Sequence, residues 1–153
     1  MADTIQRIVL LLQMGSDRMA ASDDPVFLGL RGPVGREFRV ALGKGKTLRR
    51  KGEERYVFGA AGDAEANVAN PALNDPTTPA LDASQVTGLY LRKRQEPIPN
   101  VRGHGELDDR LQLEAIDVEV VSQSGTRRFH REGPIWLGLT CGLSIDLAPA
   151  DGD

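Results

Sequence analysis

The chain contains a single cysteine, Cys141, so no internal disulfide can form and no cysteine-rich zinc site can be assembled. Its two histidines, His104 and His130, leave little material for a histidine-based metal centre. Long hydrophobic runs are missing too. The longest, Ile8-Val9-Leu10-Leu11-Leu12, falls far short of the roughly 18 residues a membrane helix requires. It is also too short for a signal-peptide core: Gln13 closes it, and Asp3 stands where positive charge would be expected. The run therefore reads as a buried strand, and a cytoplasmic location is expected. Neither charge sign dominates. Lys and Arg total 19 against 22 Asp and Glu, a net charge of −3, so whole-chain charge does not drive nucleic-acid binding. There is no internal repeat and no low-complexity tract.

What is present fits one folded domain spanning 1–153, with 40% hydrophobic and 27% charged residues. Seventeen glycines and nine prolines point to many turns and argue against a helix bundle. Apolar residues come in short bursts between turn signals. Ile8–Leu12 reads as a strand buried on both faces or at a sheet centre, followed by a polar loop over 15–25. Val26–Leu30 is a second strand. Phe38, Val40 and Leu42 alternate with Arg39 and Ala41 in a third, and Tyr56–Phe58 is a short fourth. Residues 60–84 hold four acids, no Lys or Arg, and Pro71, Pro76 and Pro79, which predicts a long, mobile acidic insertion loop. Val86–Leu91 is a further strand, with Leu89 and Leu91 on one face and Tyr90 on the other. Along 111–121 the apolar parity switches from Leu111/Leu113/Ala115 to Ile116/Val118/Val120, which predicts a bulge or bend. Arg127–Arg131, Ile135–Leu137 and Leu143–Leu147 complete about eight strands, with a frayed tail at 149–153. The only Trp, Trp136, is expected in the core. The predicted fold is all-β, an antiparallel β-sandwich.

The order of these pieces resembles a PLAT/LH2-type β-sandwich domain over residues 5 to about 140. The residues that carry the likeness are the opening strand Ile8–Leu12, the loop Gly15-Ser16-Asp17, and Asp23–Gly32. The basic stretch leading to Leu48–Phe58, the strand Val86–Arg94, the Leu-x-x-Ile-x-Val run Leu113–Val118, and the closing Phe129 and Trp136-Leu137 add to it. The resemblance implies a non-catalytic module that recognises a lipid or membrane surface or a protein partner. It also implies a corner able to hold calcium, here Asp17, Asp23 and Asp24, whose hard carboxylate oxygens suit that ion. Two features depart from the pattern: the family has a short loop where 60–84 sits, and Arg92-Lys93-Arg94 replaces a His-Asp-Asn-like turn. The second substitutes cations for cation ligands, so no cofactor is expected, with calcium the alternative. As turn formers, the three acids need no ion.

Charge is uneven along the chain. Arg31–Arg55 holds nine Lys/Arg and three acids, a local charge of +6. Lys44, Lys46, Arg49, Arg50 and Lys51, with Arg92, Lys93 and Arg94, are the candidate anion- or partner-binding residues. Solvated outer faces and guarded sheet edges would use the same residues. No aromatic residue interleaves the basic residues between Lys44 and Lys51, which argues against single-stranded nucleic acid. Gly43-Lys44-Gly45-Lys46-Thr47 imitates a phosphate-binding loop, but the glycine that spacing demands is Val40. No catalytic residue is assigned. Cys141 reads as a buried structural thiol, and Ser144 lacks the second glycine of a nucleophile elbow. The alternative function is a small β-sandwich enzyme or enzyme subunit with a site near His104, Asp108 and His130.

Overall fold

Alternation of apolar and polar residues gives nearly every segment one face to bury, and the strands form where that period holds. The computed structural model describes residues 3–14, 26–33, 35–40, 53–59, 74–93, 111–137 and 142–150. Eight strands run in chain order: β1 Ile5–Met14, β2 Val26–Arg31, β3 Arg36–Val40, β4 Glu53–Phe58, β5 Gly88–Lys93, β6 Leu111–Ser122, β7 Gly125–Leu137 and β8 Ser144–Pro149. Their hydrogen-bonded order is β3-β2-β5-β8-β7-β6-β1-β4, with every pairing antiparallel.

β8 joins the two halves. Residues 144–147 pair with β5, whereas Ala148 and Pro149 pair with β7. The two edge strands, β3 and β4, meet through Phe38 and Phe58, whose ring centroids are 5.4 Å apart. The result is the expected antiparallel sandwich of eight strands, nearly closed into a barrel. Ile8, Leu10 and Leu12 of β1 share one buried cluster with Leu28, Leu91, Ile116 and Val118. Each such side chain contributes roughly 1.5–3 kcal/mol on burial.

Several details differ from expectation. β1 lies within the sheet between β6 and β4, as one of the two readings had it, but is not buried on both faces: Val9 and Leu11 are half-buried on the outer face. Trp136 is also half-buried on the outward parity of β7, because Ile135 and Leu137 on either side take the core positions. The large aromatics of the core are Tyr56, Phe58, Phe38 and Phe129. The parity switch in β6 is a bulge within one continuous strand. Leu113 pairs with Ile135 but Ala115 pairs with Glu132, so β7 carries the extra residue. Gly133 sits at that step, where a Cβ would lie 2.3 Å from the Leu113 carbonyl oxygen. No side chain fits there.

The second half of the predicted insertion loop is docked. Asn74, Leu81, Ala83 and Val86 are buried, and a 3-10 turn covers Ala83–Gln85. The Ile5 amide donates to the Leu81 carbonyl at 2.8 Å, and the Ala83 amide to that of Asp3 at 2.7 Å. Arg36 Nη1 donates to the carbonyls of Asp75 (2.7 Å) and Thr78 (3.2 Å). Apolar anchors and backbone pairing here outweigh the acids and prolines that suggested a loose loop; residues 60–73 lie outside the described part. The tail is tied at least to Ala150, whose amide donates to the Arg128 carbonyl.

Candidate functional site

Strand direction decides which connections share an end of the sandwich. Neighbours alternate throughout the order, so β1, β3, β5 and β7 end where β2, β4, β6 and β8 begin. The chain therefore leaves from one end into 15–25, 41–52, 94–110 and 138–143. Of these, 41–52 carries Lys44, Lys46, Arg49, Arg50 and Lys51 and no acid. Those five residues lie outside the described part, as do Asp17, Asp23, Asp24, Arg94, His104, Asp108 and Cys141.

The run Arg92-Lys93-Arg94 does not form one surface cluster, because successive strand residues face opposite ways. Arg92 is on the outer face. Its Nε and Nη2 donate to Glu37 Oε2 and Oε1, both at 2.8 Å, and its guanidinium lies 4.4 Å from the Phe27 ring centroid. Lys93 follows the inward parity of Leu89 and Leu91 and has no exposed surface. It is not a surface cation.

The outer face of β3-β2-β5-β8 carries a network that the sequence reading missed. Tyr90 Oη donates to Glu37 Oε2 at 2.7 Å, and the Arg31 guanidinium stacks 4.5 Å from the Tyr90 ring centroid. Arg31 also donates to Asp146 Oδ1 from Nε (3.1 Å) and Nη2 (2.9 Å). The Arg92 hydrogen bonds hold the Glu37 carboxyl below its ordinary range, while partial burial and then Glu37 push the Tyr90 hydroxyl upward. The parity of Tyr90 and Arg92 was readable in β5; their meeting with Glu37 depends on the β2–β3 and β2–β5 registers. Thus Arg31, Arg36 and Arg92 are engaged with carboxylates or carbonyls, and the +6 segment is not one patch along its length.

On the other sheet, His130 Nδ1 lies 2.6 Å from Asp117 Oδ1. Beside this pair a hollow of about 420 Å³ is lined by Val9, Leu11, Arg55, Asp117 and Glu119. Leu11 stands between Arg55 of β4 and Asp117 of β6, and Arg128 reaches Glu119 at 3.3 Å. The floor is aliphatic and the rim charged, with no nucleophile facing it among these residues. Ser144 is exposed at the start of β8. No group of three or more His, Cys, Asp or Glu side chains gathers as a metal would need among the described residues. No helix among them is long and apolar enough to cross a membrane.

No protein-family model and no curated protein sequence matches the chain. Solved structures do. The alpha toxin of Clostridium absonum superposes with a TM-score of 0.59 at 14% identity, over 95% of this chain and 32% of the toxin. The alpha-toxin of Clostridium perfringens gives 0.58 at 14% identity, over 94% and 31%. Coral 8R-lipoxygenase, whose structure is described as showing calcium activation via a C2-like domain, gives 0.56 at 12% identity, over 94% and 17%. The chain thus spans about a third of the toxins and a sixth of the lipoxygenase. At these identities the likeness is one of fold: the chain is an antiparallel β-sandwich that resembles the PLAT-type, C2-like domains of these proteins.

Proposed function

We propose that this chain is a non-catalytic binding module that attaches to an anionic membrane surface through the end from which the basic connection 41–52 leaves the sandwich. The observation that carries this reading is the direction of β3 and β4. β3 finishes and β4 starts at the same end of the sandwich, and the sequence that connects them holds five cations and no acid in a chain of negative net charge. Each basic residue near an anionic bilayer contributes about 1 kcal/mol, so three or four together suffice for measurable binding at low salt. The charged network around Glu37 leaves Arg31 and Arg92 internally paired, which makes the 41–52 cations the main source of attraction. A cytoplasmic site of action, facing the anionic leaflet, belongs to this reading.

Co-sedimentation with phosphatidylserine-containing vesicles tests it. The chain is expected to pellet at low salt and to release as salt approaches about 0.5 M, where screening shortens to a few Å. Reversing Lys46, Arg49, Arg50 and Lys51 to Glu is expected to abolish binding. Failure to pellet, or pelleting that survives the reversal, removes the membrane reading in favour of a protein partner. A site joining His130 to His104 and Asp108 is the less supported alternative, because the His130 imidazole already faces Asp117.

A further inference from the structure

The hollow on the outer face of β4, β1 and β6 has no part in the membrane reading. Its floor and walls follow from two rows across the sheet. In one, Arg55 of β4, Leu11 of β1 and Asp117 of β6 are successive register partners; in the other, Val9 of β1 pairs with Glu119 of β6. Val9 and Leu11 form the half-buried floor of a space of about 420 Å³, with Arg55 on the β4 side and Asp117 and Glu119 on the β6 side. That volume falls in the range of small-molecule sites. With neighbouring strands about 4.8 Å apart, the Arg55 and Asp117 backbones stand about 10 Å from each other across Leu11.

The acidic wall is held in place from its far side. β6 lies between β1 and β7, and both carboxylates are engaged by β7: Asp117 Oδ1 faces His130 Nδ1 at 2.6 Å, and Glu119 Oε1 accepts from Arg128 Nε at 3.3 Å. The second oxygens, Asp117 Oδ2 and Glu119 Oε2, make no hydrogen bond among the described residues and can accept from a ligand. Opposite them, the Arg55 guanidinium is permanently charged and carries five N–H donors, enough for more than one acceptor. A lone cation in the hollow meets Arg55 as a like charge, and a lone anion meets Asp117 and Glu119 in the same way. A molecule that carries both signs satisfies both walls, while an aliphatic stem between its charges covers Leu11 and Val9.

We propose that this hollow binds a small zwitterion, with its ammonium on Asp117 and Glu119, its acidic group toward Arg55 and its alkyl stem on Leu11 and Val9. Exposed ion pairs alone contribute little, so the site discriminates by requiring all three parts at once. Burial of each stem methylene strengthens binding by up to about fourfold, which sets a preference for a stem of several carbons over the single carbon of glycine. The site uses none of the 41–52 residues and is tested without lipid, so this proposal and the membrane reading can fail separately.

The test is an NMR titration of the full chain with 6-aminohexanoate, with hexylamine and hexanoate as single-ended controls at equal ionic strength. Saturable shifts of the Val9 and Leu11 methyl signals are expected with 6-aminohexanoate. Each control is expected to bind about fivefold more weakly, the effect of losing one favourable ion pair. Asp117→Asn combined with Glu119→Gln is expected to bring 6-aminohexanoate level with hexanoate, and Arg55→Gln to bring it level with hexylamine. If a variant does not fold, the three ligands on the wild type decide by themselves. Glycerophosphoethanolamine, run alongside, separates two sources of the same chemistry. Tighter binding than 6-aminohexanoate assigns the site to a lipid headgroup and weaker binding to a free amino acid, and either order supports the site. Equal affinity for 6-aminohexanoate and either control, affinity that the substitutions leave unchanged, shifts away from Val9 and Leu11, or no saturation by about 50 mM overturns the proposal.

Discussion

Gly29 lies beneath the ring of Tyr90, and a Cβ there would come within 2.0 Å of Tyr90 Cζ. The obstruction is the far end of a side chain, so Gly29→Ala would push the ring aside rather than move the strand. Displacement would break the Tyr90–Glu37 hydrogen bond and the Arg31 stack, each worth on the order of 1 kcal/mol. Alanine in place of glycine recovers roughly 0.5–1 kcal/mol of backbone entropy in a strand. Gly29→Ala is therefore expected to destabilise by about 1 kcal/mol in urea unfolding, and to become neutral or stabilising in a Tyr90→Ala background. A cost that persists in that background would show that the backbone, not the ring, sets the limit. The same network has a pH signature. The Glu37 carboxyl is held low first by Arg92 and then by Tyr90, so its contribution is present above the ordinary glutamate range and lost as pH falls through the lowered value. Asp75 is held low by Thr77 and titrates with the same sign. Stability is expected to decline from about pH 4.5 downward, and Glu37→Gln to flatten that decline in urea titrations across pH 3–6.

At the scale of elements, the segment from Asn74 to Val86 does more than connect β4 to β5. Asn74 is buried, and its Oδ1 accepts the Arg39 amide at 2.8 Å, covering part of the outer edge of β3. Arg127 Nη1 donates to the Ala83 and Val86 carbonyls, fastening the other end to β7. Asn74→Ala leaves the Arg39 amide without this acceptor and is expected to cost about 1–2 kcal/mol, with faster exchange at that amide in hydrogen-exchange NMR. Unchanged protection would mean the edge is held by Arg36 alone. This segment also shows where sequence reading stopped. Strand periods were legible because they are local: Leu89, Tyr90 and Leu91 announced their faces, and the parity switch after Leu113 announced the bulge. The docking of Leu81 and Ala83 was not legible, since it depends on pairing with Asp3 and Ile5 almost eighty residues away. Lys93 is harder still: its alternation pointed inward, but three adjacent basic residues read as surface, and only the register with Val26 shows otherwise. Of the candidate site, sequence supplied the basic composition of 41–52, while the shared end at which β3 finishes and β4 starts came from strand direction.

For the whole molecule, cohesion depends on β8. The strands on either side, β5 and β7, belong to the two halves of the sheet, and no other strand lies between them. Leu147 is the buried residue of β8, 7% exposed and paired with Leu89, and Ile145 packs partly buried against the same core. One register step later the strand has crossed to β7, where Ala148 faces His130 and Pro149 faces Phe129. Losing the Leu147 side chain therefore loosens both partners together. Leu147→Ala is expected to cost about 2–4 kcal/mol, the usual range for emptying a buried leucine position. Unfolding is expected to stay a single transition, as for a small domain with one core. Native-state hydrogen exchange gives the sharper readout. In the variant, amides of β5 and β7 should lose protection by the same free energy, because one cooperative unit spans both. Protection lost in β5 alone, with β7, β6 and β1 unchanged, would divide the sandwich into two independently stable halves and make β8 an addition to one of them.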